Sequence, residues 1–129
     1  MGYRTIILIV LCATTNSLLA TGQIYVERQI LGKDNALILV EAITAKDSVI
    51  PLEDSLALTD SISVVAFAEK ELFRTYGKRH ILNQRPYEVY QFNRYWYVGG
   101  TMPENMKGGT FSLVIDAQRS SVMYMMHGK

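Results

Sequence analysis

Cysteine is almost missing from this chain. The only one among 129 residues is Cys12, inside the apolar run Ile6 to Cys12. From Gln23 onward there is no thiol, which excludes disulfide staples, a thiolate nucleophile and cysteine metal ligands from the body of the protein. Histidine is nearly as scarce. His80 and His127 are the only two; they fall in different expected elements, and neither has a ligand-type partner three or four residues away, so no metal-binding set is expected. Charge of one sign is also lacking. Thirteen basic and twelve acidic residues leave a formal net charge of +1, which argues against nucleic acid or anionic lipid as the main partner, because both demand a basic surface.

The N-terminus has a pattern of its own. Arg4 gives a short positive start, the run to Cys12 and the mixed segment Ala13 to Ala20 follow, and Ala20-Thr21-Gly22 places small residues where a signal peptidase reads them. This is the layout of a secretory signal peptide over residues 1–22, cleaved before Gln23, and its apolar core is too short for a comfortable membrane span. A retained N-terminal anchor is the competing reading. Cys12 is no lipid-attachment site, since Ile9-Val10-Leu11 precedes it instead of a small residue. The expected location is therefore periplasmic or secreted, with no membrane contact beyond the signal peptide. Residues 23–129 form one domain, long enough to bury its own core.

Within that domain the hydrophobic period changes once. Ala36 to Val40 is a continuous apolar run whose periodicity does not separate a buried strand from a buried helix; Lys33-Asp34-Asn35 ahead of it can start a helix, Pro51 ends whatever precedes it, and helix or irregular structure is expected over Gln23 to Pro51. Ile62, Val65, Ala66, Glu69, Leu72, Phe73 and Tyr76 recur at three-and-four spacing, predicting a long amphipathic helix from about Asp60, or from Glu53-Asp54-Ser55, to Gly77. Thr59 or Asp60 can cap its start. Beyond Pro86 the period becomes that of strands: Tyr87 to Phe92 and Tyr95 to Gly99 around an Asn93-Arg94 turn, then Thr110 to Ile115, and Val122 to His127. Helix followed by strands predicts an α+β fold, a long amphipathic helix packed on a four-stranded antiparallel sheet.

No residue pattern points to catalysis or to a cofactor. His127 with Asp116 or Glu88 would suit acid–base chemistry, but nothing in the spacing selects either pair. Gly99-Gly100 and Gly108-Gly109 are followed neither by a helix nor by a lysine at phosphate-loop spacing, so they read as turn glycines. Lys78-Arg79-His80 reads as a solvated turn. Partner binding has better candidates. Tyr90 and Trp96 belong to an aromatic cluster on adjacent strands, part of which should face away from the helix, and such residues are common hot spots; cross-strand stabilisation explains them equally well. The loop Thr101 to Lys107 offers Met102, Glu104, Met106 and Lys107 in one segment.

Several short motifs also occur in a fixed order: Tyr76-Gly77, Arg85-Pro86-Tyr87, Gly99-Gly100-Thr101-Met102-Pro103, Gly108-Gly109 and His127-Gly128-Lys129. In order and spacing they resemble the nuclear-transport-factor-2-like (cystatin-like α+β) immunity proteins of bacterial polymorphic toxin systems, over Ile62 to Lys129. Arg74 stands where members of that family often have a proline. The resemblance implies a cone-like α+β fold, binding to a cognate toxin protein, no catalysis and no cofactor. It names neither the toxin nor the contact residues. The alternatives left open are a small-molecule-binding or enzymatic domain with a pocket between helix and sheet, and an envelope-associated accessory domain. The oligomeric state is not written in the sequence.

Overall fold

The computed structural model describes residues 27–47 and 58–129. Its elements in chain order are β1 (Arg28–Gln29), α1 (Lys33–Thr44), α2 (Ser61–Tyr76), α3 (Lys78–Leu82), β2 (Glu88–Phe92), β3 (Tyr95–Gly99), β4 (Met102–Pro103), β5 (Phe111–Asp116) and β6 (Ser121–His127). The expected signal segment 1–22, its cleavage point, Pro51 and the alternative helix start at Glu53-Asp54-Ser55 lie outside the described residues.

Helix α2 starts where a side chain can satisfy its free amides. Asp60 accepts from the Ser63 amide at 2.8 Å, and the Ser63 hydroxyl lies 3.4 Å from the Asp60 amide, a reciprocal capping box. The helix stops at Gly77, whose φ of 90° suits a residue without a Cβ and whose N–H bonds Phe73 O at 3.0 Å. The chain does not become a solvated turn there. Gly77 O accepts from Ile81 N at 3.2 Å, so Lys78-Arg79-His80 open the short helix α3 and Ile81 is buried. The buried row of α2 is Val64, Ala68 and Leu72, each without exposed surface, flanked by Phe67, Phe73 and Tyr76. The expected face holds at Leu72, Phe73 and Tyr76 but not in the first turns, where Ile62 is 81 % exposed and Ala66 is exposed while Val64 and Ala68 are buried. An i, i+4 row of small and large residues lets the helix lie close on the sheet, whereas Ile62 projects from its first turn.

The sheet has the order β2-β3-β5-β6, antiparallel throughout. A two-residue turn with Asn93 at φ 57° pairs Phe92 with Tyr95. Alternation sends Trp96, Val98, Phe111, Leu113 and Ile115 to α2, and Tyr97 and Val114 to the other face. That second face is not bare. Ala36 and Val40 of α1 pack on Tyr97 and Val114, with Tyr90, Phe92, Tyr95 and Tyr124 around them. The ambiguous apolar run is thus a helix, and its start is capped from the sheet: Glu88 accepts from the amides of Leu31 at 2.7 Å and Gly32 at 2.8 Å.

The far end of α1 is tied by charge. Asp47 accepts from Tyr95 at 2.5 Å, Arg94 at 2.7 Å and Arg119 at 2.9 Å, and Arg94 also reaches the fully buried Asp116 at 3.0 Å. The Tyr95 hydroxyl and then Arg119 hold the Asp47 carboxyl below the ordinary carboxylate range. Finally, the segment expected as a plain loop contains a strand. Met102 and Pro103 pair antiparallel with Gln29 and Arg28, and Glu104 N bonds Glu27 O at 3.0 Å.

Candidate functional site

The pieces of the sequence motifs meet where β5 begins and β6 ends. Phe111 pairs with His127, and Gly128 N continues the ladder to Thr110 O at 3.0 Å. The two backbones approach so closely that a Cβ on Gly109 would lie 2.1 Å from the carbonyl carbon of Gly128. Only glycine fits there. The close approach turns the residues after β6 back over the start of β5, and it leaves the His127 ring against the end of α2 and the start of α3. Tyr76 and His80 lie beside that ring, at centroid distances of 5.3 and 4.7 Å.

Gln84 organises this corner. It is 4 % exposed, and its Oε1 accepts from the buried Phe111 amide at 2.9 Å. That bond fixes which way the side-chain amide points, so its NH₂ faces Nε2 of His127 at 2.9 Å. The Nε2 atom is thereby the acceptor, and Nδ1–H donates to Gly128 O at 2.6 Å. His80 Nε2 lies 3.0 Å from the same His127 nitrogen. Gln84 O in turn accepts from Thr101 N at 2.9 Å, and Thr101 Oγ1 donates to Pro86 O at 2.7 Å and accepts from Arg28 Nε at 2.6 Å. Sequence reasoning passed over Gln84, because a polar residue in a connection carries no period and its partners Thr101, Phe111 and His127 are distant in sequence.

Around this hub opens a cavity of about 380 Å³. His80, Asn83 and Gln84 line it from α3 and the turn after it. Met102, Pro103, Met106, Lys107, Gly108 and Gly109 line it from the β4–β5 connection, and His127, Gly128 and Lys129 from the residues at and after the end of β6. Of the candidate partner-binding residues, Met102, Met106 and Lys107 come together here, while Glu104 is exposed on the same connection. The two aromatic candidates go elsewhere. Trp96 is 6 % exposed within the α2 core. Tyr90 is half-buried beneath α1, stacked on Tyr97 at 6.1 Å. The outer aromatic face expected from the strand pattern is thus largely covered, since α1 was not legible as its lid.

The remaining motif residues brace the site. Arg85 Nε and the Tyr87 hydroxyl each donate to Oε1 of Glu69 at 2.9 Å, so the residue that interrupts the apolar stripe of α2 is the anchor for Arg85-Pro86-Tyr87. Burial, and then the Glu69 carboxylate, push the Tyr87 hydroxyl up to about 12. Glu69 also raises the Arg85 guanidinium.

Neither acid–base pair forms. Asp116 sits at the opposite end of β5 from His127's partner Phe111, about 17 Å away at the strand rise. Glu88 lies on the α1 face, holding Leu31 and Gly32. The chemistry this corner can perform is recognition: apolar contact with Met102 and Met106, and polar contact with His80, Lys107 and Lys129. Among the described residues, no three His, Cys, Asp or Glu side chains come together to hold a metal ion.

No curated protein and no solved structure matches this chain. A family model described as NTF2 fold immunity protein matches residues 63–129, just over half of the chain. That span runs from the first turn of α2 through the whole four-stranded sheet to the cavity at its end, and by this match the chain belongs to the family of NTF2 fold immunity proteins.

Proposed function

We propose that the protein is exported and neutralises a cognate bacterial toxin by binding it, with the cavity-bearing end of the sheet as the docking face. One observation carries the choice of face. Pro103, Gly108-Gly109 and His127-Gly128-Lys129 are separate in sequence, yet they line one cavity. Other motif residues support it from behind: Thr101 ties Gln84 to Arg28, and Arg85 with Tyr87 clasps α2. The polar groups at the corner are matched to one another and to backbone, which suits a rigid recognition surface. The export half of the reading rests on the N-terminal pattern of Arg4, the apolar run and Ala20-Thr21-Gly22.

A second reading has one observation in its favour. The cavity volume falls at the lower edge of the range for small-molecule sites, about 300–1,000 Å³. A rescue experiment separates the two. The full chain is produced together with the toxin domain encoded beside it, in a bacterium whose growth that toxin arrests. Relief of the arrest and a stoichiometric complex are the expected results. A toxin that the protein neither binds nor relieves sinks the immunity reading and leaves the small-molecule site in front. Export is read separately, by fusing residues 1–22 to a reporter enzyme that is active only outside the cytoplasm.

A further inference from the structure

We propose that the cavity takes an acidic, apolar segment of the toxin: a large apolar side chain seated between Met102 and Met106, with flanking carboxylates meeting Lys107 and Lys129. This rests on the immunity reading and names the chemistry of the partner at that site.

The apolar half follows from the β4–β5 connection. Met106 is 54 % exposed although it lines the cavity, and methionine adapts its shape to an incoming side chain at little cost. The charged half follows from what surrounds it. Lys107 and Lys129 line the cavity and no aspartate or glutamate does. Neither lysine has an ion-pair partner among the described residues, a state they share with the other described lysines, while Arg74, Arg85, Arg94 and Arg119 are paired. Lys78 and Arg79 on α3 stand next to His80 in sequence and add to the positive charge of the same end. Four of the eight basic residues without an ion pair among the described residues, Lys78, Arg79, Lys107 and Lys129, thus belong to the elements around the cavity, against the single carboxylate of Glu104 on the β4–β5 connection. An acidic partner is steered towards that end, and like-charged competitors are disfavoured. A bilayer would gain little from a walled cavity of this size, whereas a projecting side chain fills it.

The test uses the methionine methyl and histidine ring signals of the purified protein in NMR. Acetylated heptapeptides with a central Leu or Phe are added, flanked by Asp and Glu in one set, by Lys in a second and by Ser and Asn in a third; phosphatidylglycerol vesicles form a fourth arm. The acidic peptides are expected to move the Met102, Met106 and His127 signals saturably. The double variant Lys107→Glu/Lys129→Glu should weaken that binding by about tenfold or more, and Met106→Asp should abolish it. All three positions are exposed, so unchanged circular dichroism is expected for both variants. An equal response to basic peptides or to vesicles overturns the proposal, as does no response to the acidic set. The same variants then enter the growth-rescue assay. Intact rescue by both overturns the cavity as docking site and leaves the immunity reading standing, whereas failure of the unsubstituted chain to rescue overturns that reading itself.

Discussion

Gln84 serves two partners with its two ends, and substitutions can take them apart. Replacing it by leucine leaves the buried Phe111 N–H without an acceptor; a loss of about 1–3 kcal/mol is expected, read as a fall in the urea midpoint. Gln84→Glu is the informative contrast. It keeps the acceptor for Phe111 but turns a second acceptor, in place of an NH₂ donor, towards His127 Nε2. His127 must then exchange its bare Nε2 for a protonated one, either as the other neutral tautomer, which gives up Nδ1–H to Gly128 O, or as the imidazolium, which keeps it. Nitrogen NMR of the ring reports that exchange directly, and an unchanged tautomer in this variant refutes the bonding pattern assigned to the wild type. At this scale the sequence was only partly informative. His127-Gly128-Lys129 stood out through family resemblance, while Gln84 was invisible because the bonds that make it a hub go to residues 17 to 43 positions away.

Helices α1 and α2 differ in how openly the sequence declared them. For α2, Asp60, the apolar spacing and Gly77 gave both ends, since capping and the left-handed preference of glycine are local effects. Its buried face was read correctly at Leu72, Phe73 and Tyr76 and missed in the first turns, because Ile62 and Val65 are as apolar as Val64 and Ala68 and only packing chooses among them. Leu72→Ala should therefore cost about 2–5 kcal/mol, while Ile62→Ala stays within about 0.5 kcal/mol of neutral; equal losses in denaturant titrations would restore the other face. For α1 the run Ala36 to Val40 has no period, and its fixings are long-range: Glu88 at the start and Asp47 at the end. The strand alternation correctly placed aromatics on both faces, but with α1 unread it could not show that Trp96 and Tyr90 both turn inward. The Asp47 tie has a pH signature. Its carboxyl is depressed in the folded protein, so the stabilisation is present above the ordinary carboxylate value of about 4 and is lost as pH falls through the lower folded value. Protection of the α1 amides, with the intrinsic exchange rate divided out, should fall below about pH 4, and Asp47→Asn should remove that dependence.

For the molecule as a whole, two packed layers share one sheet, and Tyr97 is the largest fully buried side chain between sheet and α1. Burial pushes its hydroxyl up to about 12, above the unfolded value of about 10. The contribution of Tyr97 is therefore fully present below about pH 10 and is lost as pH rises from there towards 12, where the unfolded chain ionises first. Urea unfolding at mildly and strongly alkaline pH should show this loss, and Tyr97→Phe should blunt it. The α+β class was readable from one change of hydrophobic period, whereas the cavity was not, since it is built from a connection, a turn and a chain end that no periodicity describes. The two-residue pairing of β1 with β4 adds a mechanical property to this architecture. From the N-terminal side the chain is tied to Glu104 through Glu27 O and to the buried Thr101 through Arg28 before it reaches Glu88. A pull from that side is expected to load the cavity wall ahead of the helix–sheet core, read as loss of the β1–β4 pairing at lower force than global unfolding.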